Sequence, residues 1–210
     1  MKTYDYVRLD HFIGFSSYYK IAKGKPAREG SFSFGPGLDL FRAAYQKLGP
    51  LPFIAEDLGV ITPAVRALIA ETGIPGMDIV QFSDGDVREG YEPKPDTVTF
   101  TGTHDNQTLL GFCQSRFGLE GQEATQMADR IAASVLASKN DVAIMPLQDV
   151  LGLDDAARMN VPGVAEGNWS WQAAWEDVVA ATGRLAQMAQ ASGRFREASA
   201  QALRGGTFAP

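Results

Sequence analysis

The chain has 210 residues, enough for one domain with a real core, and its 45% hydrophobic content is ordinary for a globular protein. A net charge of -6 with no basic run argues against nucleic-acid and anionic-membrane partners, whose phosphates need clustered Lys and Arg. The single cysteine, Cys113, excludes an intrachain disulfide and a cysteine-built zinc site, and fits a reducing cytoplasm. No apolar stretch follows the N-terminal charge and no run reaches the length of a membrane span, so neither a signal peptide nor a membrane segment is expected.

Strands and helices alternate along the chain. The run from Tyr6 to Leu9 reads as a strand and hands over to Asp10-His11. Gly24 to Gly37 is rich in Gly, Ser and Pro and reads as a loop. Leu38, Phe41, Ala44, Tyr45 and Leu48 fall at helical spacing and are closed by Gly49-Pro50. Leu51 to Ala55 is the second strand, ending in Glu56-Asp57. Thr62-Pro63 is a helix cap followed by proline at the first helical position, and Gly73 stops that helix. Met77 to Phe82 reads as a third strand, and Ser83 to Asp96 as a surface loop. Thr97 to Thr101 is the fourth strand, leading into Thr103-His104-Asp105-Asn106. The stripe Ala124, Met127, Ala128, Ile131, Ala132, Val135 and Leu136 makes the clearest amphipathic helix. Asp141 to Leu147 is the fifth strand, with helices expected over Trp171 to Met188 and Phe195 to Leu203, and a flexible tail over 190-210.

Alternating elements of this kind imply a parallel sheet with helices outside, and such folds place reactive side chains at the C-terminal ends of the strands. Asp10, Glu56 and Asp105 obey that rule, 46 and 49 residues apart. Retaining cleavage of a glycosidic bond needs two carboxyl groups about 5–5.5 Å apart, one attacking the anomeric carbon and one handling the proton. Residues i and i+2 of a strand share a face, so Arg8 should point with Asp10, keep it ionised and aim it. Glu56 would need a raised pKa to serve as an acid. Asp105 could meet sugar hydroxyls, with His104 as a donor.

These residues carry a resemblance. Val7-Arg8-Leu9-Asp10-His11-Phe12, Ala55-Glu56-Asp57-Leu58-Gly59-Val60-Ile61-Thr62-Pro63 and Thr101-Gly102-Thr103-His104-Asp105-Asn106 resemble the successive active-site motifs of the 4-alpha-glucanotransferases, glycoside hydrolase family 77 of the alpha-amylase clan. Gly73-Ile74-Pro75-Gly76-Met77, Gln81-Phe82, Leu147 to Leu153, Ala157-Arg158-Met159-Asn160 and Gly167-Asn168-Trp169-Ser170-Trp171 agree in order, the last three with the final barrel strand and its loop. The resemblance implies an α/β fold, the C-terminal portion of a TIM (β/α)8-type barrel, about strands 4 to 8, filling 1-210 as one partial catalytic domain.

It further implies that Asp10 is the nucleophile, Glu56 the acid/base and Asp105 the transition-state stabiliser. Arg8, His11, His104 and Asn106 would line the donor sugar site. The implied activity is transfer of α-1,4-glucan segments between maltodextrins through a glycosyl-aspartate, with no metal or organic cofactor. Two departures stand out: Ile13 where the family usually has Arg, and Tyr91-Glu92-Pro93-Lys94-Pro95 where it usually carries a histidine-containing segment. The first three barrel strands have no counterpart, so an open barrel with two unpaired edges is expected, to be covered by a second chain or copy or else to aggregate. A non-catalytic glucan-binding remnant and an α-glucan hydrolase of the same clan stay open as alternatives.

Plainer roles are expected elsewhere. Asp57 should be structural, because it alternates to the opposite side of the strand from Glu56. Cys113 should be a small buried residue. Trp169, Trp171 and Trp175 could stack on glucose rings, but such clusters are more often core or helix-packing residues, and core is expected for two of the three.

Overall fold

The computed structural model describes residues 4–195. Seven strands and six helices are found among them, joined by short 3-10 turns. The strands are β1 (Val7–Leu9), β2 (Ser17–Lys20), β3 (Ser31–Phe34), β4 (Phe53–Ala55), β5 (Gly76–Ile79), β6 (Thr97–Phe100) and β7 (Ala143–Ile144). The helices are α1 (Gly37–Leu48), α2 (Pro63–Thr72), α3 (Leu109–Phe117), α4 (Gly121–Leu136), α5 (Leu147–Leu151) and α6 (Trp175–Ala191). The architecture is mixed α/β with small sheets. β1 pairs in parallel with β4, β2 with β3 as an antiparallel hairpin, and β5, β6 and β7 follow one another in a three-stranded sheet whose β6–β7 pair is parallel. No helix among the described residues is long and apolar enough to cross a membrane.

Two compact units divide the chain: Met1–Met77 with Asp96–Val98, and Asp78–Pro95 with Thr99–Pro210. The first is built on Phe12, Phe41, Ala55, Leu68 and Ile74. Phe12, Phe15 and Phe41 pack with ring centroids 5.2–5.5 Å apart, so the turn after β1 is anchored on α1 by aromatic contact. The caps read from the sequence form as expected. Thr62 accepts the Val65 N–H, Pro63 opens α2, and Gly73 ends it in the left-handed region. The second unit is built on Leu109, Phe112 and Cys113 of α3 against Met127, Ala128, Ile131, Ala132 and Val135 of α4.

Several expectations need correcting. Residues 24–37 are not a plain loop, because Ser31–Phe34 alternates small and aromatic residues and pairs with Ser17–Lys20. The third strand stops at Ile79 and turns into a 3-10 segment at Val80–Phe82. The fifth strand keeps only Ala143–Ile144. Leu147, expected to begin the last strand motif, begins α5 instead: Pro146 lacks an N–H and cannot extend a ladder, and Gly152 ends the helix in the left-handed region. Of the three tryptophans, Trp169 and Trp175 are exposed and Trp171 is half-buried, so none is core.

Helix α6 runs on to Ala191, and Arg194 beyond it donates to the carbonyls of Leu136, Ser138, Asn140 and Asp141 at the end of α4. The expected helix over 195–203 and the tail over 190-210 lie, from residue 196 on, outside the described residues.

Candidate active site

The seven residues singled out by sequence fall into two clusters, one in each unit. Arg8, Asp10, His11 and Glu56 form the first. In the β1–β4 register Leu9 stands opposite Ala55, so Asp10 and Glu56 leave adjacent parallel strands side by side. The Glu56 N–H donates to the Leu9 carbonyl at 2.9 Å. A regular parallel ladder would next send the His11 N–H to the Glu56 carbonyl. His11 instead takes a left-handed conformation (φ 48°, ψ 55°), and the Phe12 N–H makes that bond at 2.9 Å. The displaced His11 N–H turns onto the Glu56 side chain and donates to Oε2 at 2.6 Å. One out-of-register residue thus aims a backbone donor at a carboxylate.

The two carboxylates differ in surroundings. Asp10 is 80% exposed and accepts from Arg8 Nη2 at 3.0 Å, the same-face pairing expected of i and i+2. Glu56 is half-buried, and burial pushes its pKa above the usual carboxylate value. The His11 N–H opposes that rise, while the negative charge of Asp10 adds to it. Asp57 points away, as expected, and accepts the Met77 N–H at 2.7 Å. It ties the end of β4 to β5.

His104, Asp105 and Asn106 form the second cluster, on a turn after β6. Gln81 donates to the carbonyls of Thr101 and Gln107, clamping the two ends of that turn. Gly102 lets the clamp close, since a Cβ there would lie 2.8 Å from Gln81 Nε2. Asn106 is buried, and its Oδ1 accepts both the backbone N–H and the hydroxyl of Thr103. Asp105 Oδ1 accepts from Asn160 Nδ2 at 2.5 Å, its carbonyl accepts from Arg158 Nη2 at 2.7 Å, and its Oδ2 lies 3.4 Å from His104 Nε2. The Asn160 N–H also donates to the His104 carbonyl. Arg158 and Asn160 received no role from the sequence. Their signal is the motif likeness of the segment Ala157 to Asn160, which by itself does not say that the segment folds onto Asp105.

Two further carboxylates lie beneath this turn. Asp149 is buried and accepts from the Thr101 hydroxyl at 2.5 Å and the Leu109 N–H at 2.7 Å. Asp155 accepts from Gln107 Nε2 and the Thr108 N–H. Both therefore satisfy donors at the start of α3, where negative charge is favoured.

Known proteins resemble this chain over most of its length. The sequence model of the family described as 4-alpha-glucanotransferase matches residues 1–177. A 4-alpha-glucanotransferase of Streptococcus pneumoniae is 40% identical over 186 residues, covering 81% of this chain and 37% of that protein. One from Synechocystis is 41% identical over 187 residues, covering 80% and 36%. The solved structure of an amylomaltase from Streptococcus agalactiae in complex with acarbose matches with a TM-score of 0.77 at 31% identity, over 93% of this chain and 43% of that one. The chain spans less than half the length of the relatives it matches.

Proposed function

The chain belongs to the 4-alpha-glucanotransferase family, and on that premise we propose that it carries the catalytic carboxylates of a retaining glucan transferase acting on α-1,4-linked maltodextrins. In this reading β1, β4, β5, β6 and β7 are strands four to eight of a (β/α)8 barrel. Asp10 attacks the anomeric carbon of the donor glucan and forms a glycosyl ester. Glu56 gives its proton to the departing 4-hydroxyl oxygen. Glu56, now ionised, takes the proton of an acceptor glucan's 4-hydroxyl, which attacks the same carbon and releases Asp10. Asp105 stabilises the oxocarbenium-like transition state. Arg8, His11 and His104 line the donor sugar, and Asn106 serves it by fixing the turn that holds Asp105. The chemistry uses no metal or organic cofactor.

The observation that carries the reading is the pair of adjacent strand exits. Parallel neighbours run about 4.8 Å apart, close to the carboxyl spacing of about 5–5.5 Å that a retaining mechanism uses. One member of the pair is ion-paired and exposed, and the other is burial-shifted toward its acid form. Nucleophile and acid need those opposite environments.

Incubation of the chain with maltotriose tests the reading. Transfer predicts glucose together with longer maltodextrins. Glucose and maltose without longer products would point to hydrolysis. Maltodextrin binding without turnover would leave a glucan-binding protein.

A further inference from the structure

Against His104 stands an aromatic residue that the reaction above does not use. Trp169 has a left-handed backbone, φ 60°, which a bulky side chain adopts only where its surroundings impose it. Those surroundings are specific. The Trp169 N–H donates to the Met159 carbonyl at 2.7 Å. Asn168 accepts the Val161 N–H and donates to the carbonyls of Val161 and Val164. The Ser170 hydroxyl donates to the Gly167 carbonyl.

This loop holds the indole against the His104 imidazole, with ring centroids 5.2 Å apart and planes inclined by 36°, yet Trp169 stays 58% exposed. His104 Nε2 is in turn 3.4 Å from Asp105 Oδ2. A core tryptophan would be covered, and an incidental surface tryptophan would need no strained backbone. Here a large flat ring is kept in solvent, against the imidazole that neighbours the Asp105 carboxylate, at a conformational cost.

We propose that Trp169 is a glucan-stacking platform, with its indole against the C–H face of a glucose unit next to the one that Asp105 attends. The inference rests on the reading of the site given above and adds a subsite to it. A pyranose ring suits this surface. Its C–H face is apolar and meets the π-face of the indole, while its hydroxyls lie around the rim and stay hydrated or reach neighbouring polar groups.

The sequence has three tryptophans, so Trp171→Phe with Trp175→Phe leaves Trp169 as the sole emitter. Maltoheptaose should shift its emission and shield it from acrylamide, saturating with the binding isotherm from calorimetry. In the otherwise unchanged chain, Trp169→Ala should weaken maltoheptaose binding about tenfold, and Trp169→Phe should restore most of it. Acrylamide quenching that stays constant while calorimetry shows saturation would overturn the role of Trp169 and leave the proposed function standing. So would a folded Trp169→Ala chain with undiminished affinity. If Trp169→Ala does not fold, the single-tryptophan chain decides alone. Absence of any maltoheptaose binding by the unsubstituted chain would sink the functional reading itself, and the platform with it.

Discussion

Asp10 in the first unit leaves 80% of its side chain in solvent with Arg8 as its partner, whereas Asp105 in the second is held at Oδ1 by Asn160 and at its own carbonyl by Arg158, on a turn pinned by Gln81 and Asn106. The contrast fits the different work proposed for them. A nucleophile advances on carbon and is later released, so an immobilising network would oppose its reaction. A group that stabilises developing charge works best already in place, because reorientation at the moment of reaction costs energy. The first unit spends its strain on Glu56 instead: His11 leaves the ladder to give that carboxylate a backbone donor.

The largest expected effect breaks the first side of the comparison. Asp10→Asn keeps the shape of the side chain but removes the oxygen anion proposed as the nucleophile, and should lower transfer from maltotriose at least about a thousandfold with the fold intact by circular dichroism. Retention of activity would show that another group attacks the sugar.

The next effect falls on the second unit and on stability. Asp149→Ala strands the Thr101 hydroxyl and the Leu109 N–H without their buried acceptor. It should cost about 2–4 kcal/mol in urea unfolding. Asp149→Asn, which keeps an acceptor oxygen, should cost less. Equal losses would mean that the charge at the start of α3, rather than the hydrogen bonds, does the stabilising.

The same contrast explains what could be read in advance. In the first cluster the side-chain directions follow from sequence neighbours, although the bond from the His11 N–H to Glu56 spans 45 residues and had no such signal. A period-2 strand puts Arg8 with Asp10 and sends Asp57 away from Glu56, and both placements were legible. The periodic stripe of α4 and the Thr62–Pro63 start of α2 were equally plain. The second cluster depends on partners 53 and 55 residues from Asp105, and no periodicity announces such contacts. The β2–β3 hairpin was hidden because its Gly, Ser and Pro content signals loop more strongly than four alternating residues signal strand. Helix α3 was hidden because Leu109, Phe112 and Cys113 are buried in a short segment without a clear polar face. The tryptophans depart from expectation because size and apolarity argue for burial, while the loop around Asn168 holds Trp169 outward.

Asn160 sharpens the second side of the comparison. Asn160→Ala frees Asp105 Oδ1 without touching Asp10 or Glu56. It should lower kcat for maltotriose about 10–100-fold and change KM much less, as loss of orientation does. Asn160→Asp sets a second carboxylate against Asp105 and should be worse than alanine. An alanine variant with unchanged kcat would show that the network around Asp105 is structural only.

The smallest effect concerns the proton on Glu56. Burial raises its pKa in the folded chain, so the folded state holds this proton more tightly than the unfolded one. The stability that the protonated form contributes is complete below the unfolded value and is lost as pH rises through the raised folded value. Glu56→Gln cannot ionise, so its stability relative to the unsubstituted chain should climb over that interval and level off above it. Activity gives the matching sign. In the proposed reaction the acid form donates the proton, so transfer should fall as pH rises through the same folded value. Arg8 lowers that value by its positive charge. Arg8→Met should therefore carry the alkaline limb of the pH–rate profile to higher pH while also slowing transfer, because Asp10 loses its partner. A limb displaced to lower pH would mean that the group titrating there is not Glu56, and that the first cluster divides its two protonation tasks differently.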